Sequence, residues 1–169
     1  MAFKRTNCEE LKTNLFRMIG KDWLLICCDD KENKRENMMT ASWGGMGVLW
    51  NLPVCFLFVR PQRHTYSLLE TEERFSVCVL PEEWRSAHKV CGSQSGRDVN
   101  KIISTGLTEI EISGVKALSE SEYVFVLKQL YVDTLKKDNF LDQEQLLHYP
   151  QDDFHAMYVC KIEEVYVKE

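Results

Sequence analysis

Apolar and polar residues follow two patterns along this chain: strict alternation in some stretches and short unbroken apolar runs in others. Alternation marks a strand with one buried face, and an unbroken run of strand length marks one buried on both. Residues 23–28 (WLLICC) form such a run. Residues 54–59 form a second, β-branched and aromatic, headed by Pro53, where a strand tolerates a missing ladder donor. Residues 74–80 set Phe75, Val77 and Val79 against Arg74, Ser76, Cys78 and Leu80, and Pro81 ends the stretch. Residues 123–132 and 153–168 read as long strands, 108–112 and 114–117 as short ones. Residues 38–43 read as the partner of 23–28, across DDKENKREN, which has no apolar member and predicts an exposed hairpin loop. Gly44, Gly45 and Gly47 then predict a turn into 54–59.

Helical spacing is weaker. Leu11, Leu15, Met18 and Ile19 predict a short helix over 8–20, stopped at Gly20. Residues 65–73 read as a helix with Thr65 as N-cap. Residues 82–91 read as a helix stopped by Gly92, and 98–105 as one ended by Gly106. Residues 139–148 predict a helical turn. Six or seven strands with three or four short helices, few of them between consecutive strands, predict a mainly β fold. The expected form is an antiparallel Greek-key barrel in a single domain over 1–169, rather than a doubly wound parallel sheet.

Composition narrows the function. No run approaches the ~20 apolar residues of a membrane span, and the first twelve residues lack the apolar core of a secretory signal. Seven cysteines with no Cys-x-x-Cys pair predict reduced, largely buried thiols in a cytoplasmic protein. His64, His88, His148 and His155 share no metal-ligand spacing with them, so no metal is expected. The net charge of −5 argues against nucleic acid as a partner. The charge is uneven. Residues 84–101 hold Arg85, Lys89, Arg97 and Lys101 against Asp98 alone, whereas 102–169 hold 13 acidic and 6 basic residues. Two basic islands, 60–65 and 84–101, suit a small anion held locally, or are surface clusters.

The candidate chemistry lies in three stretches. RPQRHT places Arg60, Arg63 and Thr65 within six residues, guanidinium and hydroxyl donors fit for phosphate. CGSQSGRDVNK groups Gly92, Ser93, Ser95 and Gly96 ahead of Arg97, so that amides can converge on an anion. It is no P-loop, because Gly-Lys-Ser/Thr does not follow the spacer. NMMTASW could hold a flat heterocycle edge-on through main-chain donors, with Met39 or Trp43 shielding a face, or it could be an ordinary core strand. GGMG is not the dinucleotide fingerprint. Ser42, Ser93 and Ser95 have no neighbouring His, and the acidic pairs Asp152–Asp153 and Glu163–Glu164 sit in polar surroundings. With no acid–base catalyst in view, a cofactor could carry the chemistry.

Taken in order, Asn37-x-Met39-Thr40-Ala41-Ser42-Trp43-Gly44, Leu49-Trp50-Asn51-x-Pro53, Val59-Arg60-Pro61-x-Arg63-x-Thr65 and Cys91-Gly92-Ser93-x-Ser95-Gly96-Arg97-Asp98 resemble the flavin reductase-like, FMN-binding split-barrel family, in its flavoredoxin-type branch. The resemblance runs over roughly residues 20–165. It implies a homodimeric Greek-key split barrel with FMN at the dimer interface. Met39, Thr40, Ala41 and Ser42 would meet the ring edge; Arg63 and Thr65, with Arg60 nearby, would hold the phosphate. Ser93, Ser95, Arg97 and Lys101 would close the phosphate or ribityl side. Asn37, Trp43, Asn51, His64 and Gly96 fall in the same motifs and complete the implied set. Leu52 and His64 depart from the residues relatives often carry there, basic and aromatic respectively. The resemblance further implies hydride transfer from NADH or NADPH to the flavin, then onward to a small-molecule acceptor or a redox partner protein. The alternative it leaves is an FMN electron carrier that does not itself oxidise nicotinamide.

Overall fold

The computed structural model describes residues 2–169; Met1, the first residue of the expected domain, lies outside them. In chain order the strands are β1 (Phe3–Thr6), β2 (Leu24–Asp30), β3 (Arg35–Ala41), β4 (Gly44–Leu49), β5 (Leu52–Val59), β6 (Arg74–Val79), β7 (Glu109–Ile112), β8 (Val115–Leu118), β9 (Tyr123–Thr134) and β10 (Ala156–Lys168). Eight form one antiparallel sheet in the order β3-β2-β6-β9-β10-β5-β4, with β1 added on β10; β7 and β8 pair as a separate hairpin. The helices are short: α1 (Leu15–Arg17), α2 (His64–Leu69), α3 (Arg85–Ser93) and α4 (Lys101–Thr105). The fold is mainly β with short helices, as the patterns predict, and of split-barrel type.

The unbroken run in β2 has a direct explanation. Leu24, Ile26 and Cys28 point into the barrel with Phe75, Val77, Phe125 and Leu127. Leu25 and Cys27 point the other way, into a second core with Met38, Cys78, Ala87, Cys91 and Leu118. The strand is covered on both faces, so neither face needs polar residues. α3, α4 and the β7–β8 hairpin provide that outer cover.

Several expectations change. The helix over 8–20 is instead a 3-10 turn (Cys8–Glu10), then α1, then a π-helical turn (Met18–Asp22), with Gly20 inside the last. The polar stretch 29–37 is mostly strand. Asp29 pairs with Glu36 and Asp30 with Arg35, so the loop shrinks to four residues. Residues 31–34 are exposed, whereas Asp30, Glu36 and Asn37 are buried, and Asp30 meets His64 and Asn33. Gly44, Gly45 and Gly47 lie within β4, paired to Leu57, Phe56 and Val54. The reversal comes at Trp50 and Asn51, both with positive φ (54° and 57°), the mirror-image turn that matches the twist of a hairpin. Gly44 is needed for close approach, since a Cβ there would lie 2.5 Å from the Phe56 carbonyl oxygen.

Thr65 is inside α2 rather than at its cap, a position Arg63 takes. Gly92 lies within α3 rather than ending it, and faces Thr40. α4 starts at Asn100, whose side chain accepts from the Ile103 N–H, and ends as expected at Gly106 (φ 73°). The last helical turn runs from Gln143 to His148.

Candidate functional site

β3 and β4 are the two edges of the sheet, and Ser42 and Trp43 alone carry the chain from one to the other. The barrel is therefore split at this crossing, and a cleft of about 220 Å³ opens there. Its walls are Met39–Trp43 on one side and Phe58, Arg60, Arg63 and His155 on the other. Among the described residues, no carboxylate lines it. An edge strand keeps alternate backbone groups free of any ladder. On the free side of β3, the Glu36 N–H donates to Glu109 and the Met38 carbonyl accepts from Lys101 Nζ at 2.6 Å. Strand alternation puts the backbone groups of Thr40 on that same side, at the cleft.

The two arginines differ in what surrounds them. Arg60 is ion-paired with Asp153, donates to the His148 carbonyl at 2.8 Å, and lies 5.2 Å over the Tyr149 ring. Its charge is matched. Arg63 is half-buried and donates to the carbonyls of Gly92 (2.6 Å) and Cys91 (2.8 Å). Among the described residues it has no carboxylate partner, so its positive charge is left over at the cleft wall.

Behind this wall the structure places five of the remaining expected residues, Asn37, His64, Thr65, Gly96 and Lys101, in a supporting layer. Asn37 Nδ2 donates to Thr65 Oγ1 at 2.8 Å, and both residues are buried. His64 meets Asp30 at 3.0 Å. Gly96 sits against these two, where a Cβ would come within 2.0 Å of Asn37 Oδ1 and 3.0 Å of the His64 ring. Asn37 Oδ1 is itself buried without a partner among the described residues. Lys101 is buried, bridging the Met38 and Cys91 carbonyls, and burial lowers its pKa to about 8. Arg97 donates to the Gln62 carbonyl. Ser93 is exposed and donates to Lys89, and Ser95 accepts from the Arg97 N–H. Asn51 stands apart, at the tip of the β4–β5 hairpin. The cleft thus gathers Met39, Thr40, Ala41, Ser42, Trp43, Arg60 and Arg63. Asn37, His64, Thr65, Gly96 and Lys101 serve it from behind.

Phe58 and His155 are cleft residues that the motifs do not contain. His155 is buried among rings: Trp43 at 5.1 Å, Tyr149 at 5.5 Å and Phe58 at 6.4 Å. The Tyr149 hydroxyl lies 2.9 Å from its Nδ1. Burial, helped by the Arg60 guanidinium, lowers its pKa to about 4, so the ring is neutral at pH 7. The available sequence signal was its place at the head of β10, beside the polar turn that carries Asp153.

This geometry meets an independent match. The family model for the flavin reductase like domain covers residues 16–169. The chain belongs to the flavin reductase-like family. Its split barrel superposes on FMN-binding protein from Thermus thermophilus with bound p-hydroxybenzaldehyde (TM-score 0.69, 20% identity, 98% of this chain and 82% of that one). It also superposes on an FMN-binding domain of a flavin reductases-like enzyme from Shewanella baltica OS155 (0.69, 14%, 98% and 77%). A third likeness is to flavoredoxin of Desulfovibrio vulgaris (Miyazaki F) (0.69, 17%, 98% and 78%). At these identities the likeness carries the fold alone. No curated protein matches the chain in sequence. Among the described residues, no helix is long and apolar enough to cross a membrane.

Proposed function

We propose that this flavin reductase-like chain, acting as one domain over 1–169, binds FMN in the cleft and passes electrons from NADH or NADPH to a second acceptor. The observation that carries this reading is Arg63. A half-buried guanidinium facing only neutral carbonyls is costly unless a counter-charge arrives. Carboxylates are not scarce, since the chain has 26 acidic residues, yet none is placed there. A phosphate monoester would supply the missing charge through a bidentate contact. The opposite wall suits a flat heterocycle, because the free backbone groups at Thr40–Ser42 can hydrogen-bond its edge.

The residues present therefore fit FMN. Arg63, with Arg60, would hold the phosphate; Met39, Thr40, Ala41 and Ser42 would hold the ring edge. Gly96 lets the segment after α3 close against Asn37 and His64 behind the cleft wall, where a Cβ would collide with both. When bound, FMN supplies the two-electron chemistry that no side chain of the cleft offers. The chain's part is to orient the ligand, keep carboxylates away from it, and present a neutral imidazole at His155 rather than a second cation. The proposal includes a homodimer, supported by Leu130, Tyr131 and Val132, exposed in succession on β9. A cytoplasmic setting is supported by the seven free thiols, six of them buried.

The test is the absorbance spectrum of the chain loaded with FMN, followed anaerobically as each nicotinamide is added. Bleaching by NADH or NADPH supports the oxidoreductase. Bleaching only by dithionite or a reduced partner protein would make the chain an electron carrier. A colourless chain that takes up no FMN overturns the reading. Light scattering giving a 19.8 kDa monomer with FMN still bound would sink the dimer.

A further inference from the structure

Beside the cleft lies a second, larger pocket of about 390 Å³, which shares Ser42 and Trp43 with it. One wall is the turn carrying Leu15, Phe16, Ile19 and Gly20; the other is the start of β4, from Gly44 to Met46. Among the described residues, none that lines it is charged. We propose that this pocket is a substrate site for an uncharged, flat, conjugated carbonyl compound of the quinone class. The proposal rests on the FMN reading and names the acceptor that reading left open.

Three observations select this class. The lining offers apolar faces but no cation, whereas a nicotinamide dinucleotide brings several phosphate charges that would need them. The side-chain hydrogen-bonding groups of the pocket are the Ser42 hydroxyl and the Trp43 indole N–H, neither with a protein partner among the described residues. The indole can only donate and the hydroxyl can donate, so the side chains of this edge can serve a ligand that accepts, as a ring carbonyl does. The wall is also held in place before any ligand arrives. Trp23, directly after the π-helical turn, has φ of 72°, rare for a bulky residue. Arg85 pins it, with the guanidinium 3.3 Å from the ring centroid and Nη1 donating to the Lys21 and Asp22 carbonyls at 2.6 and 3.0 Å. Backbone outliers and π turns persist where the surroundings fix them, and such places cluster at ligand sites.

The overall reaction balances without another reagent. NAD(P)H, H⁺ and the quinone give NAD(P)⁺ and the hydroquinone: the nicotinamide loses a hydride, and both ring carbonyls become hydroxyls.

Menadione, titrated calorimetrically into the FMN-loaded full chain without reductant, tests the site. Saturable binding is expected in the unaltered chain. Gly20→Leu should weaken it at least tenfold, because a Cβ at Gly20 meets nothing within 4 Å and the side chain has the pocket to enter. Phe16→Ala, which strips an exposed apolar side chain from the same wall, should weaken it as well, and it serves should the first variant not fold. FMN affinity should be unchanged in both. Absence of saturable binding, variants that bind menadione as tightly as the parent, or full displacement by NADP⁺ would each overturn the assignment. Should the chain take up no FMN, the function proposed above fails, and the same titration on the flavin-free chain still decides whether the pocket takes a quinone.

Discussion

Arg63 has two duties in one side chain, and its substitutions separate them. Its guanidinium holds the last carbonyls of α3 and leaves charge at the cleft. Arg63→Ala should lower FMN affinity by about 10- to 100-fold, the loss of one or two charge-assisted contacts. It should also cost fold stability, about 1–3 kcal/mol, since two carbonyls lose a charged donor. Arg63→Lys should recover only part of the affinity, because an ammonium cannot reproduce the planar fork. Riboflavin, which lacks the phosphate, is the control: its affinity should be the same in parent and variant. Equal losses for riboflavin and FMN would mean that Arg63 acts only by shaping the wall. The sequence made the donors visible but not their nearest acceptors. Thr65 was expected at the phosphate and Lys101 on the phosphate or ribityl side; in the fold the buried Thr65 hydroxyl accepts from Asn37, and the Lys101 ammonium donates to two backbone carbonyls. His155 was hidden for the opposite reason: its place at the head of β10 does not show that Trp43, far earlier in the chain, packs against its ring.

At the scale of elements, the β4–β5 hairpin decides whether the split opens where the cleft needs it. Its register is fixed at two points: the Trp50–Asn51 turn and the contact of Gly44 with the Phe56 carbonyl. Left-handed backbone costs a non-glycine residue roughly 1–2 kcal/mol. Replacing Trp50–Asn51 by Asn-Gly should therefore raise thermal stability, and unchanged or lowered stability would assign exposed Trp50 to an interface. Gly44→Ala should act in reverse. The new methyl would lie well inside contact distance of a paired strand, so the edge must shift, and both stability and FMN affinity should fall. The long strands were legible because their side chains are sorted by face, as in β6 and β2. The glycines misled because they normally punctuate turns, whereas here one of them admits a neighbouring strand. The loop at 29–37 misled because buried polar residues look like exposed ones until their partners are known.

For the whole molecule, the buried titratable groups set opposing pH trends. His88 is buried with both ring nitrogens unpartnered among the described residues, and burial, with Arg85 nearby, lowers its pKa to about 4. His155 is lowered to about 4 as well. Both are ordinarily near 6.5, so the unfolded chain binds more protons between about 4 and 6.5, and stability rises with pH across that window. Glu36 works the other way. It is buried, neither carboxylate oxygen has a partner among the described residues, and burial, with Cys78 and Glu109 close, raises its pKa to about 9. The folded chain holds the extra proton between about 4.5 and 9, so stability falls as pH rises there, by about 1.4 kcal/mol per pH unit for one proton. Two histidines outweigh one glutamate below 6.5; between 6.5 and about 8 the glutamate outweighs them, and above about 8 buried Lys101, which only the unfolded chain keeps protonated, opposes it. Thermal stability should therefore peak near pH 6.5, decline to about pH 8 and then level off. Glu36→Gln keeps the shape and removes the titration, so it should flatten the alkaline limb and steepen the acid limb, where the glutamate had opposed the two histidines. Melting temperatures measured from pH 5 to 9 on both proteins decide it: an alkaline decline as steep in Glu36→Gln as in the parent would mean that Glu36 is already ionised in the fold.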